Sequence, residues 1–96
     1  MDKNEIIAIL RNFKDEYALC YGISEIGLFG SIARDQSSGD GDVDVCIKTE
    51  TPDPFVLAHI KDDIENRINQ RVDIVRIREK MRPFIKARIE KEGIYV

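Results

Sequence analysis

Three aspartates carry the first chemical signal. Asp42 and Asp44 stand two residues apart in Asp42-Val43-Asp44-Val45, and Asp73 has a matching setting in Arg71-Val72-Asp73-Ile74-Val75. A strand turns successive side chains to opposite faces, so Asp42 and Asp44 leave one face with Cα atoms about 7 Å apart. Three carboxylates about 6 Å apart repel one another by ~2–3 kcal/mol per pair at an effective dielectric of ~20. A pair of divalent cations offsets that repulsion and brings a chemistry with it. Two metals about 3.5–4 Å apart clamp the attacking and leaving oxygens of a phosphoryl displacement. Mg²⁺ is the natural occupant, because it takes oxygen ligands and keeps substrate phosphates in its shell.

Phosphates also need a cradle, and Gly30-Ser31 upstream of the aspartates supplies one. Glycine at a strand-to-helix turn lets backbone approach a ligand, and a following helix start offers free amides and positive dipole. Ser31 adds a hydroxyl, and Arg34, one turn on, can bind phosphate as a planar fork. A calcium loop is excluded. Asp40-Gly41-Asp42-Val43-Asp44 looks like the start of one, but the sixth and twelfth positions are Val45 and Thr51, where that loop needs Gly and Glu.

The elements that must hold these residues follow from periodicity. Residues 4–20 carry Ile6, Ile9, Leu10, Phe13, Tyr17 and Cys20 at helical spacing, with Asp2 or Asn4 available as a cap and Gly22 as a stop. Ser24–Phe29 reads as a short strand, Ser31 opens a short helix to about Arg34, and Asp35–Gly41 reads as a loop. Asp42–Thr49 alternates Val43, Val45 and Ile47 against Asp42, Asp44 and Cys46, giving a strand with one apolar and one acidic face. Asp53-Pro54 caps a helix whose buried stripe is Leu57, Ile60, Ile64 and Ile68, with His59 on the solvent side. Arg71–Ile77 is a third strand, and a last helix runs from about Pro83 to Glu92. The order αβαβαβα predicts an α/β fold with a small three-stranded sheet, built as one domain over residues 1–96. One helix joins the second and third strands, so they should run parallel, with the aspartates clustered at one end of the sheet.

Composition sets the outer bounds. The 96 residues are 43% hydrophobic and 34% charged, too apolar for a disordered chain, and charges break every hydrophobic run short of a membrane span. No signal-peptide core opens the sequence, which predicts a cytoplasmic protein. Cys20 and Cys46 sit among apolar residues and read as buried, reduced thiols. Fifteen basic against eighteen acidic residues give a net charge of −3, which argues against direct nucleic-acid binding. The distribution is uneven: eight carboxylates and two lysines from Asp35 to Asp63, then seven cations and three glutamates from Arg76 to Glu92. The basic run reads as a solvated, salt-bridged helix surface.

These residues resemble the nucleotidyltransferase (DNA polymerase beta-like) superfamily. Gly30-Ser31-Ile32-Ala33-Arg34 followed by Asp42-Val43-Asp44 is similar to its signature of Gly-Ser, Ala-Arg and an Asp-x-Asp pair, and Asp73 is similar to its third carboxylate. The small size resembles the minimal nucleotidyltransferases, among them the antitoxin halves of HEPN/MNT toxin–antitoxin pairs. The chain departs from the pattern at Gly41, where the family commonly has Ser, and at Asp35, where it has Gly. The resemblance implies a mixed sheet with its first two strands antiparallel. It implies that Asp42, Asp44 and Asp73 hold two Mg²⁺ ions, and that Gly30, Ser31 and Arg34 bind the phosphates of ATP. It further implies transfer of AMP to a tyrosine of a partner HEPN toxin, which that modification neutralises.

Two other functions compete with that reading. One is a module that keeps the fold and blocks its partner by occlusion; its mark would be an eroded signature, and Gly30, Ser31, Asp42, Asp44 and Asp73 are all present. The other is an adenylyltransferase with a small-molecule acceptor, which generally carries an extra acceptor-binding domain that 96 residues leave no room for.

Overall fold

The structure, a computed structural model, describes residues 3–33, 42–50, 53–78 and 80–96. Helix α1 (Lys3–Tyr21) buries Ile6, Leu10 and Phe13 as one stripe. It stops at Gly22, whose φ of 64° is left-handed backbone that glycine adopts without penalty. Strand β1 (Ile23–Phe29) leads into the short helix α2 (Gly30–Ala33), and β2 (Val43–Thr49) follows. Helix α3 (Pro54–Ile68) starts as its sequence predicts: Asp53 Oδ1 accepts from the Phe55 and Val56 amides at 2.9 and 3.4 Å, with proline in the first turn. Asn69 closes it in the left-handed region at φ 61°, donating its amide to the Glu65 carbonyl. Then come β3 (Val72–Arg76), α4 (Pro83–Glu92) and β4 (Ile94–Tyr95).

The sheet has four strands in the order β3-β2-β1-β4. β1 and β2 pair antiparallel, β2 and β3 parallel, and β4 adds antiparallel to the free edge of β1. The sequence predicts three of these strands and misses β4. Two residues are too few to show a period, and what makes them a strand is pairing at long range, with Val96 N donating to the Ile26 carbonyl at 3.0 Å.

One face of the sheet presents Ile26, Leu28, Val43, Val45, Ile47 and Val72 to the buried stripes of α1 and α3. Burial of each such side chain contributes about 1.5–3 kcal/mol, so this face is the main source of stability. The two helices are also pinned to each other: Arg67 lies over the Phe13 and Tyr17 rings at 5.4 and 5.6 Å and reaches Glu16 and Asp63 at 2.9 Å each. The opposite face differs from expectation. It is acidic only in part: Phe29, level with Asp44, joins Cys46, Val75 and Ile77 in a cluster under Ile85 and Ile89 of α4. Helix α4 therefore covers the apolar part of that face and leaves Asp44 and Asp73 outside the cluster. No helix among the described residues is long and apolar enough to cross a membrane.

The two thiols part company. Cys46 is buried as predicted, but Cys20 is exposed, in the last turn of α1 beside fully exposed Leu19. Helical spacing carries Cys20 along the apolar stripe, but by the last turn that stripe is finished by the Tyr17–Tyr21 stack against Phe13. Burial pushes the Cys46 thiol up to about 11 from its ordinary 9.0. Between those values the folded state keeps a proton that the unfolded chain has lost, so stability falls as pH rises through this window. A thiol reagent applied to the folded protein at pH 8 should modify Cys20 rapidly and Cys46 only after denaturation. Equal rates at the two thiols would contradict the packing around Cys46.

Candidate active site

The β2–β3 register brings two of the three aspartates together. Asp44 pairs with Asp73 across the parallel ladder, flanked by Val43 with Val72 and Val45 with Ile74. Paired residues on adjacent parallel strands share a face about 4.8 Å apart, so both aspartates rise from the α4 side of the sheet, outside the apolar cluster beneath that helix. Asp44 is half-buried and Asp73 exposed. Asp42 lies just ahead of β2, two residues from Asp44, and is exposed. Among the described residues, no three His, Cys, Asp or Glu side chains already converge as a ligand group.

Phe29 pairs with Asp44 on the other side, and the chain then turns into α2 at Gly30. Gly30 has φ +80°, and a Cβ there would fall on the Asp44 carboxylate. The turn is thus pressed directly against an aspartate, in a conformation and a space that both require glycine. The fit to a hard divalent cation rests on these facts: the nearby donors are carboxylate oxygens, two of them level on one face, with a backbone turn free of side-chain bulk against one of them. Ser31 is the second residue of α2. Arg34, Asp35 and Gly41, named from the sequence, lie outside the described residues, as does the Ser31 side chain.

On the outer side of Asp73 a cleft of about 460 Å³ is lined by Asp42, Lys61, Glu65, Arg71, Val72 and Asp73. Glu65 anchors its wall. Its Oε2 accepts the Val72 amide at 2.9 Å and stands 3.5 Å from Lys61 Nζ. The Val72 amide holds the Glu65 carboxyl below its ordinary range, with Lys61 adding to the effect. The contact thus stabilises the fold at neutral pH and is lost as pH falls through the lowered folded value. The neighbouring Val43 amide donates to the Arg71 carbonyl at 2.9 Å. These two bonds tie α3 to the start of β3, and β3 to the start of β2, on either side of the aspartates. Sequence reading missed Lys61, Glu65 and Arg71. The available signal is spacing: Lys61 and Glu65 each follow a stripe residue, Ile60 and Ile64, by one position and so flank the buried face.

A family model described as a nucleotidyltransferase domain matches residues 6–96 of the chain. Over 93 residues the chain is 31% identical to the protein adenylyltransferase MntA of Thermococcus cleftensis, covering 96% of this chain and 93% of that one. A solved structure described provisionally as a minimal nucleotidyltransferase is similar at a TM-score of 0.73 and 26% identity, covering 98% of this chain and 95% of that one. A chain of the complex between tri-AMPylated Shewanella oneidensis HEPN toxin and MNT antitoxin is similar in fold, with a TM-score of 0.61 and 19% identity; the match covers 96% of this chain and 66% of that one.

Two substitutions test this geometry. Gly30→Ala should lower stability by about 2 kcal/mol, from left-handed strain together with displacement of the Asp44 carboxylate, and a wild-type denaturation midpoint would show the turn to be slack. Glu65→Ala should lower Tm more than Glu65→Gln, which keeps a neutral acceptor for the Val72 amide but loses the charge. Equal losses in the two variants would show that the amide contact is not what matters.

Proposed function

The chain belongs to the nucleotidyltransferase domain family, and from that premise we propose that it is a Mg²⁺-dependent protein adenylyltransferase. In this reading it acts in the cytoplasm as an antitoxin, moving AMP from ATP to a tyrosine hydroxyl of a partner HEPN toxin. The single observation that carries the reading is the level pairing of Asp44 with Asp73 beside a Gly30 turn that admits no side chain. The T. cleftensis relative, named a protein adenylyltransferase, and the fold shared with the AMPylated-toxin complex support the choice of a protein acceptor.

Asp42 and Asp44 would hold two Mg²⁺ ions, with Asp73 completing the second site. When bound, the ions neutralise the carboxylates and withdraw charge from the phosphate oxygens. The Gly30–Ser31 turn holds the β- and γ-phosphates on backbone amides, which approach closely because residue 30 has no Cβ, and Arg34 assists as a fork. Asp73 orients the tyrosine hydroxyl or takes its proton. The phenolic oxygen bonds to the α-phosphorus in line, the bond from that phosphorus to the α,β-bridging oxygen breaks, and pyrophosphate leaves with the electron pair. AMP stays on the toxin as a phosphodiester of its tyrosine.

Incubation with α-labelled ATP, Mg²⁺ and the HEPN partner tests the proposal. Wild type should label a partner tyrosine, and the double variant Asp42→Ala/Asp44→Ala should label it about 10²–10³-fold more slowly, the loss that several kcal/mol of charge stabilisation implies. Chelation of the metal should abolish transfer. Toxin neutralised equally by both proteins, with no label, would identify a module that acts by occlusion and sink the enzymatic reading.

A further inference from the structure

We propose that the cleft outside Asp73 is the acceptor subsite, and that Lys61 and Arg71 select a tyrosine segment of the partner that carries carboxylates beside the tyrosine. The inference rests on the transferase reading and deepens it. In-line displacement requires the attacking hydroxyl and the departing pyrophosphate to lie on opposite sides of the α-phosphorus. Strand order assigns the sides. The Gly30 turn that receives the leaving phosphates follows β1, Asp44 lies on β2, and Asp73 lies on β3, the edge strand away from β1. The acceptor must therefore enter over the β3 edge.

The 460 Å³ cleft opens there, with Asp42 and Asp73 on its wall. Its volume falls within the ~300–1,000 Å³ typical of ligand clefts, enough for a phenol ring and the residues next to it. Its charge pattern goes beyond what transfer chemistry needs. Asp42 and Asp73 are committed to metal in this reading, and Glu65 Oε2 is shared between the Val72 amide and Lys61. Lys61, 3.5 Å from Glu65, has a 45% exposed side chain, and Arg71 is exposed on a backbone pinned by its carbonyl to Val43. Two cations on a fixed wall, one of them a planar guanidinium, match carboxylates presented by an incoming chain.

The test measures initial rates against the HEPN partner with the full chain. Reversing both charges, Lys61→Glu with Arg71→Glu, should raise KM for the partner about tenfold or more and flatten its dependence on ionic strength, while KM for ATP stays within twofold. Titration of the partner without nucleotide should show the same weakening. Lys48→Glu, an exposed cation outside the cleft, should change neither constant. Reversing the partner's carboxylates beside its acceptor tyrosine to lysine should restore KM in the double variant. If the double variant does not fold, Lys61→Gln with Arg71→Gln replaces it and should still raise KM severalfold. Wild-type labelling with KM for the partner unmoved by these changes would overturn the acceptor assignment and leave the transferase reading standing. No labelling of any tyrosine by wild type would overturn both.

Discussion

The parallel ladder between β2 and β3 is the constraint on which the site depends. It sets Asp44 level with Asp73, and no other pairing of these strands would do so on the same face. The ladder is not self-supporting, since β3 is an edge strand of five residues. It is fixed at both ends of the crossover: Asp53 starts α3 at a defined residue, Asn69 ends it at another, and Glu65 reaches from the last turn to the Val72 amide. That amide points away from β2, so without Glu65 the edge would carry an unpaired donor beside Asp73. A side chain on the crossover helix thus completes the hydrogen bonding of the strand that the crossover delivers.

Packing and electrostatics divide the sheet between them. The face toward α1 and α3 is mainly apolar and supplies most of the burial. The other face is divided between the Asp44–Asp73 carboxylates and the Phe29–Cys46–Ile89 cluster beneath α4. Coverage by a helix of only ten residues is what leaves polar groups solvated where charge is needed and excludes water where it is not. The acidic end gains from this arrangement, because ionised carboxylates in a fully covered site would carry a desolvation cost of several kcal/mol each.

Much of this was legible in the residue order, and the limits have physical causes. The stripes of α1 and α3 and the Asp53-Pro54 start show in a 3.6-residue period and in capping chemistry, both of which are local. The alternation in β2 likewise predicts that Asp44 shares a face with Asp42, and the single crossover helix predicts a parallel β3. What escaped depends on distant partners. β4 exists only because β1 has a free edge, and Cys20 is exposed because two tyrosines finish the stripe it would have joined. The second face of β2 reads as acidic until α4 is seen to seat Ile89 against Cys46. Lys61, Glu65 and Arg71 resemble any surface charges until the fold sets them around one cleft.

The tie between α3 and the strand starts has a consequence for how such a chain can change length. One residue added within α3 would rotate everything after it by about 100° and move Glu65 off the Val72 amide. One residue added inside β3, between Val72 and Asp73, would turn Asp73 to the apolar face. Neither change is a matter of degree, because a helix turn and a strand pleat are discrete. A change of length inside α3 or β3 therefore costs the site more than an exchange of side chains does.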